Sequence, residues 1–180
     1  MASDWTIELI KGFLFLAPAF FANSVATFTT GLGAIDRGKM FRDGKPILGK
    51  NKTIGGLLGA ILGAGVLGMT VVLFFPDVFE EVDSRWNLIN YIWYFGFVQG
   101  FAAMVGDGTG SFIKRRVNLK PGGPFPIMDQ IGFVIFAFLI LAIFVTYPLS
   151  WVYLVIPVAL VIHFIANMVA YKMGWKDVWW

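Results

Sequence analysis

Lysine, arginine, aspartate and glycine concentrate at two places in this 180-residue chain. One cluster is IDRGKMFRDGKPILGKNKTIGG, from Ile35 to Gly56. The other is GDGTGSFIKRRVNLKPGGPFPIMDQ, from Gly106 to Gln130. Together they hold ten of the fourteen Lys and Arg residues and four of the eleven acids. Grouped cations with a few acids and many glycines suit a polyphosphate and a divalent metal. Asp107 and Asp129 are the candidate metal ligands, for one or two Mg²⁺. Lys114, Arg115 and Lys120 are the candidate clamp on a triphosphate, with Ser111 and the Gly108 amide as hydrogen-bond donors. Asp107, Asp129 and Lys114 form the expected catalytic set. Lys50, Lys52 and Thr53 offer a second phosphate-binding group, for a triphosphate tail or for another phosphate.

Blander readings compete at each position. A bias of Lys and Arg toward cytoplasmic loops accounts for basic residues alone. It does not account for Gly106, Gly108 and Gly110 at alternate positions, which are costly in a plain helix end. Nor does it account for Asp107, an acid at membrane depth. Gly44 to Asn51, GKPILGKN, nearly spells a P-loop, but the final Ser or Thr is missing and no strand precedes it. Thr53 is either an N-cap or part of an anion site at a helix N-terminus.

The elements that must position these residues follow from composition. The chain is 58% hydrophobic, 17% aromatic and 14% charged, too apolar for a soluble domain of its length. Five segments approach the roughly 20 apolar residues of a membrane span: Gly12–Ile35, Thr53–Pro76, Asn87–Gly106, Ile131–Pro148 and Ser150–Met173. The expected fold is one all-α integral membrane domain over residues 1–180, with basic loops at about 36–52 and 107–129. Continuous apolar runs argue against a β-barrel. The residues before the first segment (Asp4, Glu8 and Lys11) do not make the basic region of a cleavable signal. Cysteine is absent, and a net charge of +3 held in membrane loops does not indicate nucleic acid. Oligomerisation is not indicated.

Five spans place both basic loops on one side, with Lys172 and Lys176. Asp77, Glu80, Glu81 and Asp83 fall on the other. The expected topology is N-terminus outside and C-terminus cytoplasmic, in the cell membrane, with the site on the cytoplasmic face. Trp5, Trp86 and Trp151 are expected at the outer interface, and Trp175, Trp179 and Trp180 at the inner one. Asp107 and Asp129 then share one depth. Gly55, Gly59 and Gly63 allow close helix contact within the bundle. Asn23, Ser24 and Thr27 face the bundle interior. Asn23, with Asp36 and Lys39, is a candidate cavity-lining residue. His163, the only histidine, and Asn167 are read as structural.

Ser111-Phe-Ile-Lys114-Arg115-x4-Lys120, a Gly/Pro-rich stretch and Asp129 together resemble the signature of the phosphatidate cytidylyltransferases. Lys52-Thr53 before Gly55-Gly56 is similar to that family's Lys-Thr-x-x-Gly element. The short chain looks like the archaeal branch, the CDP-archaeol synthases. Departures are Lys120-Pro121 for Lys-Asp, a Gly-Gly turn without its His, and Asp129-Gln130 for Asp-Arg. The resemblance implies transfer of CMP from CTP to 2,3-bis-(O-geranylgeranyl)glyceryl phosphate, with Mg²⁺. Cytosine and the lipid are implied by the resemblance alone. A CTP-dependent lipid kinase would need the same cations and metal. A transporter is disfavoured because charge lies in loops and no inverted repeat is visible. A CDP-alcohol phosphotransferase would need an Asp motif that is absent.

Overall fold

The computed structural model describes residues 3–84, 88–119, 123–125 and 127–174. Trp86, Lys120, Trp175, Lys176, Trp179 and Trp180 lie outside the described residues. Among the described residues five helices build the fold: α1 (Ser3–Phe28), α2 (Ile54–Phe74), α3 (Leu88–Arg116), α4 (Met128–Leu141) and α5 (Leu149–Lys172). A two-residue antiparallel pairing joins β1 (Asp83–Ser84) to β2 (Val145–Thr146). The all-helical expectation therefore holds. Among the described residues three helices, α1, α2 and α5, are long and apolar enough to cross a membrane.

Helix boundaries depart from expectation in three places. The first helix stops at Phe28 rather than Ile35, because Gly31, Leu32 and Gly33 take positive φ. The third runs ten residues beyond Gly106, to Arg116. The expected loop at 107–129 thus shortens, and Asp107, Gly108, Ser111, Lys114 and Arg115 all sit on helix. Tertiary contact offsets the helical cost at Gly106. A Cβ at Gly106 would lie 2.7 Å from the Gly132 carbonyl of α4. The cationic last turn also suits the negative end of the helix dipole. The fourth helix ends at Leu141 rather than Pro148, where the chain turns into β2.

Close backbone approach fixes the bundle. The small-residue stripe on α2 packs within the bundle, as expected: Cβ atoms at Gly55 and Gly59 would collide with Thr29, just past the end of α1. The other side of α2 meets α3, where a Cβ at Gly68 would sit 2.4 Å from Gly96 Cα. Phe15 lies at the centre of the core. Its ring is 5.0–6.3 Å from those of Trp151, Phe95, Tyr147 and Phe79. Trp5 is exposed as an interfacial residue should be, but Trp151 is fully buried. Its indole N–H donates to Glu8 at 3.1 Å, and Ser150 donates to the same carboxylate at 2.7 Å. The Phe15 cluster and this bond turn the Trp151 ring into the bundle rather than outward.

Candidate active site

The end of α3, the start of α4 and the segment entering α2 converge on one face. Lys52, just before α2, donates to Asp107 on α3. Lys114, nearly two turns further along α3, donates to Asp129 in the first turn of α4 at 2.6 Å and to the Gly123 carbonyl at 3.0 Å. Two carboxylate–lysine pairs therefore lock three elements together. Asp107 and Asp129, 22 positions apart, border one small cavity with Asn23, Gly110, Met128 and Phe133.

Two larger cavities flank the Lys52–Asp107 pair. The first, about 210 Å³, opens between α1, α2 and α3. Asn23, Thr27, Thr30, Asn51, Lys52, Thr53, Asp107 and Gly108 supply its polar rim. No atom lies within 4 Å of where a Cβ on Gly108 would stand. The second, about 150 Å³, is lined by Asn51, Lys52, Ser111, Lys114 and buried Arg115. Asn51 and Lys52 form the wall between them. Of the expected residues, Asp107, Asp129, Lys52, Thr53, Gly108, Ser111, Lys114, Arg115 and Asn23 come together.

Four expectations are corrected. Asp36 lines none of these cavities. Its buried carboxylate accepts from the amides of Gly38 at 3.0 Å, and of Leu48 and Gly49 at 2.8 Å each. Burial pushes its pKa up, but those amides outweigh burial and hold it below the ordinary 3.8. Its carboxylate ties Gly38 and the Leu48–Gly49 segment of the 35–52 loop together. Lys39 is exposed and also lines none of them, since its backbone is tied into the same loop through Asp36 and Ile47. Lys50 is exposed and borders none of the three cavities. The α2 N-terminus is not an open anion site. The Ile54 and Gly55 amides donate to Gly33 and Gly31 carbonyls at 3.0 and 3.1 Å, and the Gly56 amide donates to Thr53 Oγ1 at 3.0 Å. Thr53 is an N-cap on the cavity rim, and Lys52 is the cation that lines it.

Some loop cations are structural. Arg116 Nε lies 2.9 Å from Asp43, and its guanidinium stands 4.5 and 4.9 Å from the rings of Phe112 and Phe41. Lys45 donates to the Arg116 carbonyl at 2.9 Å. These contacts clamp the 35–52 loop to α3. Gln130 caps α4, its side-chain oxygen accepting from the Ile127 amide at 3.1 Å. His163 packs its ring on Phe20 and Phe133, in keeping with the structural reading. Asn51 escaped the sequence reading; an uncharged polar residue between two lysines was its signal. Gln99, buried in an apolar run, escaped it too, although an intramembrane polar residue is such a signal.

Five packed helices among the described residues, three of them able to cross a membrane, with paired acids and cations at one end, define a helical membrane protein. The CarS-like CDP-archaeol synthase family model matches residues 6–180, and the chain belongs to this family. It is 35% identical to CDP-archaeol synthase of Thermococcus kodakarensis, over 98% of this chain and 99% of that one. It is 38% identical to that of Methanococcus aeolicus, over 96% and 97%. A solved structure of an intramembrane enzyme for archaeal membrane lipid biosynthesis superposes with a TM-score of 0.75. That comparison covers 88% of this chain and 94% of the other, at 26% identity.

Proposed function

We propose that this protein transfers CMP from CTP to 2,3-bis-(O-geranylgeranyl)glyceryl phosphate, giving CDP-archaeol and pyrophosphate. Relatives bearing the CDP-archaeol synthase name along almost the whole chain support the reaction. The observation that carries the chemistry is the double carboxylate–lysine pairing around one cleft. A lipid phosphate oxygen attacks the α-phosphorus, forming one P–O bond, while the bond to the β-phosphate oxygen breaks. Anion must approach anion, and two unit charges at 4 Å repel by about 4 kcal/mol at an effective dielectric of 20. The basic cavity of Lys52, Ser111, Lys114 and Arg115 suits the triphosphate. The larger cavity, with one lysine and an apolar wall of Ala26, Leu57 and Met104, suits the lipid phosphate. Lys52, on the shared wall, faces both anions.

Asp107, Asp129 and Asn23, all bearing side-chain oxygens, border about 10 Å³ of room for a water-sized body. They fit Mg²⁺, which takes one or two carboxylates and completes its shell with water and substrate phosphates. When bound, the metal would supply charge neutralisation at the phosphates. As the substrates bind, the ammonium groups of Lys52 and Lys114 exchange their aspartates for phosphate oxygens.

Five spans with the N-terminus outside fit this reading. Helix α3 carries its charged end out of the bilayer. Helix α4 covers about 21 Å, and the chain continues through β2, whose backbone pairs with β1. A cytoplasmic site at the interface lets the lipid keep its chains in the bilayer. The test is purified protein with Mg²⁺, CTP and the lipid phosphate. Pyrophosphate and CDP-lipid in equal amounts support the reading. CDP with phosphorylated lipid means a kinase and overturns it, as does absence of turnover in the folded protein.

A further inference from the structure

Gln99 has no place in the chemistry above, yet it is fully buried on α3. Its side-chain oxygen accepts from the Ala19 amide of α1 at 3.1 Å, and its side-chain N–H donates to the Phe15 carbonyl at 2.6 Å. Ala19 and Phe15 are i and i−4, the pair that closes one rung of a regular helix. Pro18 stands beside them within α1 and has no N–H to offer the Leu14 carbonyl. At two successive rungs, then, α1 has one bond that Pro18 cannot make and one bridged by α3. A side chain inserted into the ladder is also where a helix bends.

As adhesive alone this arrangement is poor, since hydrogen bonds between membrane helices average only about 0.6 kcal/mol. A buried amide left unpaired is costly, however, so any sliding of α1 along α3 that breaks either bond is penalised. A register lock is the use to which a lone buried polar group is best put. What the lock holds is the site. Asn23 is one turn beyond Ala19, and Asp107 lies about 12 Å beyond Gln99 along α3. Asn23 and Asp107 border the same two cavities.

We infer that Gln99 is a positioning residue: it ties the Ala19 amide and the Phe15 carbonyl of α1, beside Pro18, to α3 and so fixes Asn23 of α1 against Asp107 of α3. The effect on turnover rests on the cytidylyltransferase reading; the effect on geometry does not. The chain has no cysteine, so spin labels can be placed at F28C and V117C, both exposed positions, in the full-length protein in detergent or nanodiscs. In Gln99→Leu the interlabel distance should broaden or shift by about 2 Å. The kcat should fall about 10- to 100-fold, while KM for CTP, whose proposed ligands on α3 are undisturbed, stays within about twofold. A merely structural role would lower thermal stability and leave the kcat of the folded protein alone. An unchanged distance distribution or a wild-type kcat overturns the inference. If Gln99→Leu does not fold, the same measurements are made on Gln99→Glu, which keeps an acceptor for Ala19 and loses the donor to Phe15. Wild-type distance and kcat in that variant overturn it equally. A wild-type protein without cytidylyl transfer would sink the functional reading and leave the distances to decide Gln99.

Discussion

Asp107 and Asp129 are each held by a lysine that is also proposed to hold phosphate, so their removal affects charge on both sides of the reaction. Asp107→Asn and Asp129→Asn should each lower kcat by at least about 100-fold, read as pyrophosphate release in a folded protein; near-normal turnover in either would remove that acid from the proposed set. Lys114 and Lys50 give a contrast that charge counting alone would miss. Lys114 bridges Asp129 and Gly123 and lines the basic cavity, whereas Lys50 is exposed and borders none of the three. Lys114→Met should therefore raise KM for CTP about 10-fold or more, and Lys50→Met should leave it within about threefold. Equal effects would mean that diffuse positive potential, rather than a built pocket, recruits the nucleotide.

At the scale of elements, the 35–52 loop and the α2–α3 seam make separate demands. The loop is wound on the Asp36 carboxylate. That group's folded pKa is depressed, so its contribution is present above about pH 3.8 and is lost as pH falls through the lower folded value. At neutral pH Asp36→Asn should show the whole effect, since a neutral amide accepts more weakly and half of it donates. Amide hydrogen exchange at Leu48 and Gly49 should accelerate; unchanged exchange would show that the loop holds itself without this centre. At the seam, Gly68→Val places a side chain against Gly96 backbone that cannot yield. It should cost about 1–3 kcal/mol of stability and lower the melting temperature. Gly108→Ala meets nothing within 4 Å and should melt normally. A reduced substrate affinity in that variant would report a ligand against the Gly108 backbone.

For the whole molecule, the testable expectation is orientation. Trp5 and Met40 are both exposed, at opposite ends of α1 and its following loop. In sealed right-side-out vesicles W5C should react with an impermeant maleimide, and M40C only after permeabilisation; the reverse pattern would invert the topology and move the site to the outer face. Composition and the long apolar runs determined by themselves that the chain is helical and belongs in lipid, because a chain of this size has no other way to cover so much apolar surface. The spacing of Ser111, Lys114, Arg115 and Asp129 was enough to mark the site, since the chemistry of anions restricts residue types strongly. Where those residues sit was decided only in three dimensions. The glycines around Asp107 read as loop in isolation, but Gly106 is needed for contact with α4, so α3 continues and carries Lys114 to Asp129. Asp36 and Thr53 read as site residues because a carboxylate or hydroxyl beside lysines has the same letters whether it serves a ligand or its own backbone. Gln99 became legible only when the Ala19 amide and the Phe15 carbonyl of α1 were found bonded to its side chain, a relation between residues 80 positions apart that local sequence cannot encode.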